Sequence, residues 1–278
     1  MARMVQQQSL KWVLTIIFAA LGIVMILPFL WMTSSSFKLQ SEMFQTPIEW
    51  IPSTFHFDSY IEVWAGKYPF ALYYWNSIKI TALTVLGTLI TSALAGFAFA
   101  KLNFRGKEAL FLLYLSTMII PTQILMVPRF ILFDRLGLVD SHMSIILPGM
   151  FSVLGTFIMR QFFSTLPNEL LEAAKVDGAG IFRTFWQICL PLTKPALVSL
   201  LILSFTWHWN EYEGPLIFLR SNNLYTLPLA LTNFVDENTT DYTSIMAASV
   251  SSLLPLIMLV AFFQRWFVEG IASSGVKG

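Results

Sequence analysis

The residues best suited to chemistry lie in one run, Trp207-His208-Trp209-Asn210-Glu211-Tyr212-Glu213-Gly214-Pro215. The run closes a long apolar stretch, and ionisable groups at membrane depth are costly enough to mark a functional site. Trp207, Trp209 and Tyr212 offer flat faces to a sugar ring, while His208, Asn210 and Glu211 offer hydrogen bonds to hydroxyls or line a water-filled route. The same residues could instead hold a seam or gate against a second membrane subunit, and their types leave both uses open. A third use is a proton or ion relay through His208, Glu211 and Glu213, as in an ion-coupled secondary transporter. Such folds usually carry paired inverted repeats with broken helices, which a chain with one broken helix fits poorly. Pro215 is expected to unwind its helix locally, and small or polar Gln123, Gly149 and Gly155 to serve helix packing.

Catalysis by this chain finds no residues to carry it. There is no GxxxxGK[ST] phosphate loop, no HExxH and no GxSxG, and His56, His142 and His208 fall on separate segments. Cys189 is the single cysteine, so no intrachain disulfide and no Cys-based metal site is expected. No catalytic residue, no metal site and no cofactor bound by this chain are expected.

These residues are embedded in a chain built for lipid. Of its 278 residues 56% are hydrophobic and 12% charged, against about a quarter charged in soluble domains. The mean hydropathy of +0.66 excludes an ordinary soluble enzyme, and the net charge of +1 supplies no basic field for nucleic acid. Six runs approach the roughly 20 apolar residues that a bilayer requires, at about 10–32, 75–100, 109–127, 143–159, 196–219 and 244–263. Helix is the expected form of each, because it satisfies every backbone group within the segment. The fold class is therefore all-α, a polytopic membrane protein with six transmembrane helices spread over residues 10–268. Residues 1–9 and 269–278 are short flanking tails.

Six spans put both termini on one side, and that side carries 11 Lys and Arg of 17 against 6 on the other. The positive-inside rule places both termini in the cytoplasm. Two long outward segments result. One, about residues 33–74, holds Pro47, Pro52 and Pro69; the other, about residues 220–243, holds Asp236, Glu237, Asp241 and the sequon Asn238-Thr239-Thr240.

Between the fourth and fifth spans, residues 164–194 are too polar to cross and too patterned to be linker. Pro167 suits a helix start, Glu169 and Glu172 favour its positive end, and Gly178 with Gly180 permit a turn. A second short helix follows, with Ile181, Phe182, Phe185, Trp186 and Ile188 as its apolar side and Pro191 as its end. Both helices could rest on lipid headgroups. The small residues Ala173, Ala174 and Gly178 of the first suit a protein groove better.

Glu172-Ala173-Ala174, Gly178, Ile188, Leu190 and Pro191 match, in type and spacing, the EAA loop of the membrane subunits of binding-protein-dependent ABC importers. Ser36-Phe37-Lys38, Phe104-Arg105-Gly106, Trp209-Asn210-Glu211, Tyr225-Thr226-Leu227-Pro228 and the terminal Gly275-Val276-Lys277-Gly278 also resemble the MetI-like, carbohydrate-uptake branch of that family, the MalG-like maltose-transporter type. The likeness extends from about Leu10 to the last residue. It implies a permease subunit of a bacterial or archaeal cell membrane that forms half of a sugar pathway. Implied partners are a second, homologous permease, two ABC ATPase subunits that bind ATP and magnesium, and an extracytoplasmic solute-binding protein. It further implies that Glu172, Ala173, Ala174, Asp177, Gly178, Ile188, Leu190 and Pro191 couple to the ATPase, and that Tyr225, Thr226, Leu227 and Pro228 face the binding protein. Amino-acid, peptide and ion permeases share the EAA loop, so a non-sugar solute remains the alternative. The WNE run and the terminal Gly-x-Lys-Gly favour sugar.

Overall fold

Inside a bilayer an unpaired backbone N–H or C=O has no water to turn to, so an apolar chain is driven into helix wherever it is not held by side chains. The computed structural model, which describes residues 2–235 and 241–275, is helical throughout and has no β-strand among those residues. Two compact units divide the chain: Met1–Phe70 with Leu231–Leu253, and Ala71–Ala230 with Leu254–Gly278.

In the first unit, α1 (Ala2–Ser35) is apolar on every side from Trp12 to Met32, and within Lys11–Ser35 none of the most apolar window is buried by the chain itself. The segment that follows folds onto aromatic side chains. Phe37 packs against Phe55, Phe57 and Tyr60 with ring centroids 5.1–5.6 Å apart. Lys38 is buried, donates to the Glu49 carbonyl and lies 4.4 Å over the Trp31 ring. The helix α2 (Asp58–Ala65) closes this segment. The sequon at 238–240, Asp236, Glu237 and the terminal residues 276–278 lie outside the described residues.

The second unit is organised around α3 (Phe70–Lys101), which carries a polar stripe within an apolar helix. Ser77, Thr81, Thr84, Thr88 and Ser92 are all buried, at helical spacing. The stripe meets α6 (Met143–Gly149) and α7 (Val153–Thr165), which are parted by a break at Met150–Ser152. Thr88 donates to the Gly149 carbonyl at 2.8 Å and Thr91 to the Met150 carbonyl at 2.6 Å, so α3 itself satisfies the freed backbone. Gly149 and Gly155 are points of closest approach. A Cβ on the first would lie 2.5 Å from Thr84, and on the second 2.5 Å from Ser92, in keeping with their expected packing role.

Among the described residues four helical segments are long and apolar enough to cross a membrane: Lys11–Ser35, Phe70–Lys101, Met143–Thr165, which includes the α6–α7 break, and Tyr242–Arg265. Two further pairs, each bent, bring the number to six if each pair is one span. The run expected over 109–127 is not straight. α4 (Lys107–Ser116) and its extension to Ile119 meet the segment Thr122–Arg135, which contains α5 (Met126–Arg135), at 89°. Pro121 is the reason, since the residue before proline is pushed out of helix, and Ile120 has φ −79° and ψ 115°. The span expected at 143–159 continues to Thr165. The span expected at 196–219 stops ten residues early: α11 (Lys194–Trp209) ends, the chain breaks over residues 210–212, and a short α12 (Glu213–Phe218) follows. The last helix, α14 (Tyr242–Gly275), runs on through residues 269–275, which were expected to form a tail.

One loop in this unit is held from two sides. Asp140, in the left-handed region at φ 58°, accepts hydrogen bonds from the Arg220 and Ser221 amides, both at 2.8 Å, and from the Ser221 hydroxyl. From α3, Asn76 donates to the Asn223 and Tyr225 carbonyls at 2.9 and 3.0 Å, and Ser77 accepts from the Leu227 amide at 2.7 Å. The Ser221 hydroxyl, then the Ser221 and Arg220 amides, hold the Asp140 carboxyl below the usual carboxylate range. A depressed pKa means the clamp is complete above the ordinary Asp range and lost as pH falls through the lower folded value. Asp140→Asn is therefore expected to speed amide exchange at Arg220 and Ser221 by roughly an order of magnitude at pH 7. The unsubstituted protein should show clamp-related acceleration only below about pH 4. Exchange measured by mass spectrometry checks both.

Candidate docking loop and translocation path

The loop over residues 164–194 forms two helical segments, as expected, with local corrections. Its first helix, α8, is Glu169–Val176, so Pro167 lies before the Asn168 N-cap rather than in the first turn. Glu169 and Glu172 sit in that first turn, where negative charge meets the positive end of the helix. The helix ends in a Schellman motif. Gly178, at φ 75°, donates from its amide to the Lys175 carbonyl at 3.1 Å, and the Ala179 amide donates to the Ala174 carbonyl at 2.8 Å. Only glycine takes that conformation without strain, which is why the turn needs Gly178.

The two small residues of α8 do not share a face. Ala174 is 4% exposed and Leu171 packs on the bundle core, while Ala173, Glu172 and Asp177 are exposed and Val176 is 87% exposed. Ala174, expected on the docking face, is thus used inside the chain, because positions 171 and 174 fall on one side of the helix and 173 and 176 on the other.

The second segment comprises α9 (Ile181–Thr184), one π turn at Phe185–Cys189 and α10 (Leu190–Leu192). Pro191 does not end it at once. The wider π turn keeps the Gln187 carbonyl off the proline ring, and the helix continues to Leu192 before turning 77° into α11. Phe185 and Cys189 enter the core with Ala93, Phe97, Met159, Phe163, Ala196 and Leu200. The rings of Phe97, Phe163 and Phe185 form a triangle with centroids 5.1–6.2 Å apart. Ile188 and Leu190 are half-buried; Pro191, Ile181, Phe182 and Trp186 are exposed. At the other end of the loop, the Lys101 ammonium donates to the Leu166 carbonyl at 2.6 Å and to Asn168 Oδ1 at 2.8 Å. The spacing of the EAA residues draws attention to none of Lys101, Phe185 or Cys189, since their partners are distant in the chain.

The Trp207–Pro215 run divides just as clearly. Trp209 is 3% exposed, stacked on Phe205 at 5.6 Å and edge-on to Tyr74 at 5.8 Å, so it is committed to packing. His208 is half-buried, its ring against Gly149. Glu211 accepts from the Gly214 amide at 2.9 Å and so satisfies the start of α12. Pro215 lies in the first turn of α12; its ring would strike the Glu211 carbonyl if α11 continued, which places the break one turn upstream of the proline. Trp207, Asn210, Tyr212 and Glu213 remain exposed. Asn210 donates to the Thr206 carbonyl at 2.8 Å, and Gln123 donates to Glu213 at 3.4 Å.

Of the segment expected to face a binding protein, Thr226 and Leu227 are buried, and Tyr225 and Pro228 half-buried. Its exposed neighbours are Arg220, Asn222 and Asn223. A cavity of about 410 Å³ lies in the first unit, lined in part by Lys38, His56, Asp58, Glu62 and Asp241, and includes no residue of the 164–194 loop or of the Trp207–Pro215 run. Among the described residues no three His, Cys, Asp or Glu side chains converge as a metal site.

The fold has a close counterpart in a chain of a bacterial ABC transporter involved in the import of the acidic polysaccharide alginate. The TM-score is 0.83 at 24% identity, covering 94% of this chain and 97% of that one. At the level of sequence, the chain is 35% identical over 271 residues to the arabinooligosaccharides transport system permease protein AraQ of Halalkalibacterium halodurans, 97% of each protein. It is 33% identical to the AraQ of Bacillus subtilis over 95% of each. To the sn-glycerol-3-phosphate transport system permease protein UgpE of Yersinia pestis it is 34% identical, over 84% of this chain and 86% of that protein. Residues 87–273 match the family of binding-protein-dependent transport system inner membrane components, and the chain is a multi-pass membrane permease belonging to that family.

Proposed function

We propose that this permease carries a neutral saccharide, in an importer driven by a separate ABC ATPase and supplied by an extracytoplasmic solute-binding protein. ATP and magnesium belong to the ATPase partner, a second related permease completes the pathway, and both termini lie in the cytoplasm, on the side richer in Lys and Arg. The observation that carries the coupling part is the exposed Glu172, Ala173, Val176 and Asp177 face of α8, on a helix whose other side is built into the bundle. A rigid helix with a small residue at its centre allows a partner backbone to come close, and a rigid-body tilt of that helix would carry the spans with it.

The substrate class rests on the exposed part of the broken α11. Trp207, Asn210 and Tyr212 combine aromatic faces with an amide, the chemistry that suits a ring of hydroxyls, and Glu213 beside them carries the only charge of the four. That sign disfavours a phosphorylated or uronic solute and is neutral toward an oligosaccharide such as the relatives named AraQ transport.

Ala173→Trp is expected to abolish ATPase assembly on the permease while leaving the permease folded, because the position is exposed. Ala174→Leu is expected to destabilise the permease itself by about 1–3 kcal/mol through overpacking. Co-purification of the ATPase, with thermal unfolding of the permease alone, separates the two; equal ATPase binding by Ala173→Trp and wild type would sink the docking assignment. Asn210→Ala should cut saccharide uptake on the order of tenfold with assembly and basal ATP hydrolysis retained. A complex that no longer assembles would instead assign Asn210 to the subunit seam.

A further inference from the structure

Asn168 occupies the N-cap of α8, where an asparagine ordinarily accepts a hydrogen bond from the backbone of the first turn, yet its side chain makes no such bond. Its Oδ1 accepts instead from the Lys101 ammonium at 2.8 Å, and the same ammonium donates at 2.6 Å to the carbonyl of Leu166, two residues earlier. Lys101 is the last residue of α3, the helix whose polar stripe also closes the break between α6 and α7. A charged donor with two acceptors in three consecutive residues is a short, directional link. The capping capacity of α8 has been turned to it.

The other end of α8 is held differently. Its Schellman turn leads into the segment whose Phe185 sits in the aromatic triangle with Phe97 and Phe163. That contact is apolar and broad, so it fixes position while permitting small sliding. The Lys101 link fixes the leading end at one point.

We propose that Lys101 is a positioning residue for energy coupling: with Asn168 and the Leu166 carbonyl it forms the joint through which a displacement of α8 is passed to α3, and so to the α6–α7 break that α3 holds closed. The proposal rests on the docking function of α8 stated above and goes beyond it, since the joint contacts neither the ATPase nor the solute. Arg105 and Lys107, the next basic residues along the chain, are not given these acceptors by any bond in the described residues.

The test uses the assembled transporter with its binding protein in proteoliposomes, reading saccharide imported per ATP hydrolysed. Lys101→Met is expected to retain assembly and basal ATP hydrolysis and to lower that ratio on the order of tenfold. Lys101→Arg, which can still reach both acceptors, should restore most of it, and Asn168→Ala should lower it less. In the Lys101→Met, Asn168→Ala pair the losses should fail to add, because both remove one link. A wild-type ratio for Lys101→Met, additive losses, or a complex that Lys101→Met leaves unassembled would each overturn the proposal. A cysteine at exposed Val176, crosslinked to the ATPase, keeps the two ideas apart: no crosslink in the otherwise unsubstituted complex counts against the docking function, whatever Lys101 does.

Discussion

A backbone polar group within a bilayer must find its partner in the protein, and the informative parts of this structure are the places where a helix stops and that requirement has to be met by something else. Four such places were found. The α6–α7 break is closed by Thr88 and Thr91 of α3, the start of α12 by Glu211, the turn after α12 by Asp140, and the lead into α8 by Lys101. In each case one or two side chains supply the missing bonds from another segment or from the break itself.

The same economy explains why several conspicuous residues have ordinary duties. Glu211, a charge in an apolar stretch, invites assignment to a solute path, yet its carboxylate holds the amide of Gly214. Trp209 has the ring for a sugar but spends it on Phe205 and Tyr74. What remains exposed, Trp207, Asn210, Tyr212 and Glu213, is a smaller set than the run suggests, and it is this remainder that has surface to offer a solute or a second subunit. The loop over residues 164–194 behaves alike: of its eight family-like residues three are drawn into the chain, Ala174 buried and Ile188 and Leu190 half-buried, and five are displayed.

The two ends of α8 give it the character of a lever. A helix of eight residues has little stability alone, so its rigidity must come from tertiary contacts. Those contacts are a pair of charge-assisted hydrogen bonds from Lys101 at one end and aromatic packing at the other, both reaching α3. Motion applied to its exposed face therefore has a mechanical path into the bundle without any change in the helix itself.

Much of this could be read from residue order alone. Hydropathy set the class, the basic residues predict an orientation, and the EAA spacing located the loop, because each depends on residues near one another in the chain or on totals. Gly178 was legible for the same reason: a glycine after a run of helix formers implies a left-handed turn, and φ is 75°. Residue order did not yield the 89° bend after Ile119, although Pro121 was visible, because whether a proline kinks, ends or merely starts a helix depends on what receives the freed carbonyls. Nor could it tell Ala173 from Ala174, or the idle side of Trp207 from the packed side of Trp209. Those distinctions are set by which neighbour lies across the helix, and Lys101 and Asn168 are separated by 67 residues. The sequence by itself determined that this chain is helical, lives in lipid and carries an EAA-type loop; only the tertiary structure decided which of its polar groups are already satisfied, and hence which are free to meet another molecule.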